Sequence, residues 1–308
     1  MFAKLLPLLL LAACTVQPAA APVAGPVKDQ PTHAQRTAAF LQTCEDWDEW
    51  AKPAPPIQII GNSWYVGTCG ITAILVTGEE GHVLIDSGVP EAAPLVLANI
   101  RELGFDPADI RLILMSHEHF DHVGAHALLA RETGAQIVAS ERAAAVLESG
   151  IVDADDPQAE AGHPPMEPVK VSRMVRDGET VKLGNLELTA HTTPGHTPGA
   201  LSWTWMSCAL PGEPPVCRRV AYVDSLSPVS ADEYRFTDHR DTVAAFRTSI
   251  DKVRALPCDI LMTPHPSASQ LLTRLRDGTF GRPGECVDYA NAIGKRLDDR
   301  LAKEAETK

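Results

Sequence analysis

The chain has 308 residues, 44% hydrophobic and 22% charged, which is enough apolar mass for a sizeable core and excludes a wholly disordered or fibrous protein. A net charge of −13 without a local basic patch argues against nucleic-acid binding. The seven cysteines are odd in number, so in an oxidising compartment one of them has a fate other than an intramolecular disulfide.

Met1-Phe2-Ala3-Lys4 followed by the apolar run Leu5 to Ala13 has the plan of a secretory signal, too short to cross a bilayer as a stable helix. Leu11-Ala12-Ala13-Cys14 resembles the bacterial lipobox, which is cut before a cysteine diacylated on sulfur, and two acyl chains suffice for stable anchoring. Thr15 stands where an aspartate would retain such a protein at the inner membrane, so the resemblance implies a periplasmic protein held at the outer membrane through Cys14. The Pro/Ala-rich stretch that follows lacks periodicity and reads as a tether. The expected organisation is therefore a signal peptide over 1–13, a lipid-anchored tether over 14–35 and one folded domain over 36–308.

Ile57 to Ile60, Trp64 to Val66, Ile71 to Val76 and His82 to Ile85 read as strands of an antiparallel meander, with turns at Gly61-Asn62 and Gly78 to Gly81. Glu91 to Leu103 has helical spacing closed by Gly104. Arg111 to Met115 is a strand feeding into Ser116-His117, followed by a helix from Val123 to Arg131, a strand Gln136 to Ala139 and a helix Glu141 to Ser149. The second half has the same grammar: strands Thr180 to Leu183, Leu186 to His191, Ala200 to Trp205 and Arg219 to Val223, a helix Asp238 to Leu256, a strand Ile260 to Met262, and a surface helix Cys286 to Glu304. Two strand-then-helix halves predict sheet packed on sheet with helices outside.

Ser116-His117-Glu118-His119-Phe120-Asp121-His122 packs three histidines and a carboxylate into one strand end and loop. Imidazole and carboxylate are the usual ligands of catalytic zinc, and alternate residues of an extended segment point one way, which pairs His117 with His119. Asp121 and His122 follow on the loop, available to a second ion nearby. Thr193 to Gly199 places His196 on a Pro/Gly-stiffened loop, and Thr263-Pro264-His265-Pro266 places His265 at a strand end.

On these residues the chain resembles the metallo-β-lactamase superfamily. Its stretches Trp64 to Gly70, Ser202 to Trp205, Tyr222 to Leu226, Ser230 to Phe236 and Leu256 to Ile260 are most similar to subclass B3. The resemblance implies an α/β fold, the αβ/βα sandwich of two mixed sheets with helices on the outer faces, binding two zinc ions, one on His117, His119 and His196, the other on Asp121, His122 and His265. It also implies a metal-bridging hydroxide oriented by Asp121 that attacks a β-lactam carbonyl. Ser225, standing where other subclasses have a cysteine ligand, and Ser227 are the candidates to hold the substrate carboxylate. A small-molecule lactam is the implied partner.

Other polar residues compete for roles. In glyoxalase-II-like and lactonase-like relatives an aspartate near the position of Asp224 bridges the metals, which keeps a lactone or thioester hydrolase as the alternative; the B3-like reading makes Asp224 an outer carboxylate. Asp86 is expected to brace the metal loop, beside Ser87 where relatives often have glycine, and His126 to pack or support without ligating. His191 reads as structural, His163 and Gln158 as rim residues, Trp203 and Trp205 as core, and Trp64 and Tyr65 as flanks of the pocket. With Cys14 set aside, proximity in sequence together with the B3-like disposition implies the pairs Cys44–Cys69, Cys208–Cys217 and Cys258–Cys286. A zinc-binding lipoprotein with a dead site is the non-catalytic rival.

Overall fold

Residues 30–209 and 216–306 are described by a computed structural model; the signal sequence, the lipobox and most of the expected tether lie outside them. The first element is α1 (His33–Thr43), started by Thr32, whose hydroxyl accepts from Gln35 N while the Gln35 side chain accepts from Thr32 N. This helix takes in His33, Ala34 and Gln35, the last three residues of the expected tether. Phe40 meets Tyr65 edge to face at 5.2 Å, and a disulfide from Cys44 to Cys69 pins the helix end.

Alternating apolar residues between tight turns produce β1 (Ile57–Ile60), β2 (Ser63–Tyr65), β3 (Ile74–Gly78) and β4 (Gly81–Ile85), the antiparallel meander the pattern predicts. Parallel strands β5 (Ile110–Leu114), β6 (Gln136–Ala139) and β7 (Val171–Met174) complete a seven-stranded sheet. Parallel neighbours require crossovers, supplied by α2 (Ala93–Glu102), the short α3 (Phe120–Val123) with α4 (His126–Thr133), and α5 (Glu141–Ser149). The single helix expected from Val123 to Arg131 is thus broken at Gly124-Ala125. A Cβ at Gly124 would lie 2.3 Å from the Phe120 carbonyl oxygen.

The second sheet contains β8 (Thr180–Leu183), β9 (Leu186–Thr192), β10 (Leu201–Ala209), β11 (Val216–Tyr222) and β12 (Ile260–Met262), in the order β12-β11-β10-β9-β8. Its parallel β11–β12 pair is bridged by α6 (Arg240–Ala255); α7 (Leu271–Arg276) and the amphipathic α8 (Glu285–Glu306) follow. Disulfides join Cys208 to Cys217 across β10 and β11, and Cys258 to Cys286 from the start of β12 to α8.

Trp203, Tyr65, Tyr222, Ile74 and Ile85 fill the space between the sheets. The outer face of the first sheet packs against α2, α4 and α5 through Val96, Ile100, Leu129 and Leu147, and that of the second against α6 and α8 through Phe246, Ile250, Ile293 and Leu297. The architecture is the expected αβ/βα sandwich. Trp203 and Trp205 are core as expected, their indole N–H groups donating to Met115 O and Ser63 Oγ. Trp64 and Tyr65 do not flank a pocket. Successive strand residues face opposite sides, so Tyr65 enters the inter-sheet core while Trp64 packs on Phe105.

Candidate metal centre

The segments after β5, β11 and β12 and the β9–β10 turn converge. Their side chains meet in two groups whose ligand atoms lie within 4.8 Å of one another, His117 with His119 and His196, and His117 with Asp121 and His122. His265 joins the second group, its Nε2 3.3 Å from Asp121 Oδ2 and its ring 4.9 Å from that of His122. All six candidate ligands are therefore brought together.

Backbone and side-chain constraints explain the convergence. His119 caps α3, which places Asp121 and His122 in one helical turn. Gly195 adopts φ +150°, and a Cβ there would collide with the Phe246 ring at 2.7 Å, so this loop needs glycine to bring His196 in. Glu118 ties that loop to the first: Thr197 Oγ1 donates to its Oε2 at 2.7 Å and Gly199 N to its Oε1 at 2.7 Å. Burial pushes the Glu118 carboxyl up to about 7, against the lowering effect of the Thr197 donor.

Each histidine in the first group has one nitrogen engaged outside it. His119 Nε2 is 2.9 Å from Asp156 Oδ2, and His196 Nδ1 is 2.9 Å from the Ser227 carbonyl. Asp224 Oδ1 lies 2.9 Å from His117 Nδ1, which leaves Nε2, buried and without a hydrogen-bond partner, as the nitrogen available to an ion. Asp224 belongs to neither convergent group among the described residues. In the second group His122 Nε2 is 3.0 Å from Asp121 Oδ2 without hydrogen-bond geometry, as expected of two donors aimed at a common third atom.

Electrostatics agree with a cation site. Burial alone would raise the Asp121 carboxyl, but His122 and His265 hold it well below the ordinary range. Burial opposes protonation of His122, yet Asp121 and Asp86 bring it up to about 10, whereas His196, buried beside His117 and His119, falls to about 3. A proton thus occupies the Asp121–His122 pair where a metal would compensate the same charge. Buried imidazoles without partners and a converging carboxylate fit zinc, which favours nitrogen and oxygen donors in this arrangement.

Asp86 braces the loop as expected: its Oδ1 accepts from Ser116 N at 2.6 Å and its Oδ2 from Ser116 Oγ at 2.6 Å and Tyr222 OH at 2.7 Å. Ser225 is buried with an unpartnered hydroxyl, while its carbonyl accepts from Tyr289 OH at 2.6 Å. Ser227 is half-buried. His191 bonds Thr204 Oγ1 at 2.8 Å on the second sheet, a structural role. His163 lies beside the cluster, its ring 5.7 Å from that of His119, with Gln158 Oε1 3.4 Å from its Nε2.

Sequence reasoning missed Asp156, the tie made by Glu118, and two exposed tryptophans. The Trp50 ring lies 5.5 Å from Phe120 and 6.2 Å from His265, and Trp47 is 6.3 Å from His265. Their signal was only their position before the meander, far in sequence from His265.

The superfamily model described as "Metallo-beta-lactamase superfamily" matches residues 66–208. Among solved structures, the metallo-β-lactamase MIM-1 from Novosphingobium pentaromativorans is 52% identical, with 88% of this chain and 99% of that one covered and a TM-score of 0.83. MEM-A1, a subclass B3 metallo-β-lactamase from a soil metagenome library, is 41% identical over 84% of this chain and 100% of its own, with a TM-score of 0.79. Among curated proteins, a hydroxyacylglutathione hydrolase of Anaeromyxobacter dehalogenans is 33% identical over 147 residues, 48% of this chain and 46% of the relative. The chain spans about half the length of the curated relatives it matches. Fold, metal cluster and full-length similarity agree: this chain belongs to the metallo-β-lactamase superfamily, and its structural neighbours include subclass B3 enzymes.

Proposed function

We propose that the protein is a zinc-dependent β-lactamase that hydrolyses the lactam amide, with one ion held by His117, His119 and His196 and a second by Asp121, His122 and His265. The observation that carries this reading is the convergence of those six side chains in a chain 52% identical to MIM-1 over 88% of its length. Two zinc ions held there would lower the pKa of water enough to supply a nucleophile near neutral pH and would draw charge from the lactam carbonyl. Asp121 sits between His122 and His265, where its carboxylate orients that nucleophile. Ser227, half-buried on the loop that holds His196, and Ser225 receive the substrate carboxylate. Trp50 and Phe120 present apolar rings to substrate on the His265 side.

Hydrolysis of nitrocefin and a carbapenem by the purified protein, abolished by a chelator and restored by zinc, is the expected result, with near-complete loss in His119→Ala and His196→Ala. Zinc-loaded protein that turned over no lactam would sink the substrate assignment. The similarity to hydroxyacylglutathione hydrolase favours a second reading, a thioester or lactone hydrolase. The contact of Asp224 with His117 Nδ1, outside both groups, supports the lactamase reading over one in which this aspartate bridges the metals. A panel of thioesters and lactones beside nitrocefin separates the two.

For location we propose a periplasmic, lipid-anchored enzyme, its folded domain, which begins at the cap of α1, tethered to Cys14. Three disulfides are consistent with an oxidising compartment. Radiolabelled fatty acid incorporated by the full chain in a bacterial host, and lost in Cys14→Ser, is the expected outcome; labelling that persists in that variant would refute it.

A further inference from the structure

Ser87 and His126 are both fully buried, and neither is a candidate ligand. A buried hydroxyl and a buried imidazole each need a partner. Ser87 Oγ lies 2.7 Å from His126 Nδ1 and 3.1 Å from the carbonyl oxygen of His122. Burial pushes His126 down to about 4, so its ring is neutral near pH 7 and carries one proton. Assigning that proton to Nδ1 satisfies both contacts: Nδ1–H donates to Ser87 Oγ, and the Ser87 hydroxyl donates to His122 O.

The same carbonyl also accepts from Ser87 N at 2.9 Å and Gly88 N at 3.2 Å. Three donors on one oxygen fix the backbone at His122. His126 lies four residues on, beyond the Gly124-Ala125 break, so the side-chain link holds α4 to the end of β4 where helix continuity does not. The preceding residue does the complementary job. Asp86, at φ +59°, grips the start of the ligand loop through Ser116, and Ser87 grips its end through His122.

We propose that Ser87 and His126 are positioning residues for His122, and that they set the metal affinity of the Asp121–His122–His265 group rather than that of His117, His119 and His196. The proposal rests on the metal-centre reading above but not on the choice of lactam as substrate. Removing the link lets the His122 backbone relax and widens the distribution of Nε2 positions, while the outer partners of the first group, Asp156 and the Ser227 carbonyl, stay in place.

The test is a zinc titration of metal-free protein against a chromophoric competing chelator, with cobalt absorption spectra as a second readout. In Ser87→Ala and His126→Leu the binding step that His265→Ala abolishes is expected to lose roughly 10-fold in affinity and the cobalt bands of that step to broaden, with the step that His196→Ala abolishes unchanged. His126→Asn, which keeps an amide donor near the position of Nδ1, restores most of the loss and covers the case in which His126→Leu fails to fold. Both steps unchanged in folded variants, or both weakened alike, would overturn the proposal. Wild-type protein that binds no metal would overturn the metal-centre reading as well, so the two failures are distinguishable.

Discussion

Glu118 offers a direct measurement of how the two ligand loops are held. Its carboxylate is buried and accepts from Thr197 Oγ1 and Gly199 N, and burial raises it from 4.5 to about 7. A folded-state pKa above the unfolded one means that the native, metal-free protein binds more protons through this group. Its stability contribution is complete below pH 4.5 and is lost as pH rises through about 7. Between pH 5 and 8 that shift is worth roughly 2 to 3 kcal/mol. Glu118→Gln keeps the shape, with its carbonyl accepting from Gly199 N and its amide donating to Thr197 Oγ1, and cannot ionise. Contributions of other titrating groups are common to both proteins and cancel in the difference. Denaturant unfolding of metal-free wild type and Glu118→Gln, disulfides intact, should show the variant gaining about 2 to 3 kcal/mol on the wild type from pH 5 to pH 8. A difference that stays flat across that range would show that the carboxyl titrates normally and that the burial argument is wrong. Glu118→Ala is a separate case: it leaves the Thr197 hydroxyl and the Gly199 N–H without partners, at about 1 to 3 kcal/mol each, at every pH.

Two further outcomes follow from the same geometry. Asp156→Ala frees His119 Nε2, held at 2.9 Å in the native chain, and should weaken the zinc step that His196→Ala abolishes roughly 10- to 100-fold in the competition titration; that step unchanged would show that the contact does not orient the ring. Because His122 is raised to about 10 beside Asp121, metal must displace a proton at neutral pH, so zinc affinity should rise with pH between 6 and 9 with proton release visible in a weakly buffered titration. Affinity independent of pH over that interval would contradict the proton's placement.

The elements were legible where one periodicity dominated. Strands such as Gln136–Ala139 and helices such as Glu141–Ser149 fall where apolar spacing puts them. β7 escaped notice because Val171–Met174 is a mostly exposed edge strand with no alternation, and α1 because its apolar face is weak, although Thr32 and Gln35 spell a readable capping box. The six candidate ligands could be read because four fall within six residues and the other two sit in Pro/Gly-stiffened loops. Their supports could not. Asp156 is 37 residues from His119, and Thr197 is 79 from Glu118, in segments whose composition suggests only a polar rim or a turn. Such partnerships are decided by how the sheets pack, which no local pattern encodes. Tyr65 shows the converse error: an aromatic at the head of a meander reads equally well as rim or core, and only the strand's facing residue, Ile74, decides.

The supports also weigh against a dead site. Around five imidazoles the chain buries Asp86, Glu118, Asp121, Asp156 and Asp224, and burial is the first cause pushing Glu118 up to about 7 and Asp224 up to about 6. Burying carboxylates costs free energy unless charge or hydrogen bonds compensate, and an apolar substitute would be cheaper if stability alone were at stake. Hydrogen bonds account for Asp86, with three donors, but only in part for Asp224, whose Oδ2 accepts from Leu226 N at 3.2 Å while its Oδ1 has a buried neighbour in His117 and no hydrogen-bond geometry to it. A cation held at His117 Nε2 would place positive charge on the ring beside that unpartnered oxygen, converting an expense of the metal-free fold into a favourable charge interaction. The arrangement of outer carboxylates behind unpartnered nitrogens therefore has its physical rationale in a resident metal, and Asp224→Asn should weaken zinc binding more than it alters the stability of the metal-free protein; a variant that lost stability alone, with zinc affinity intact, would return Asp224 to a packing role.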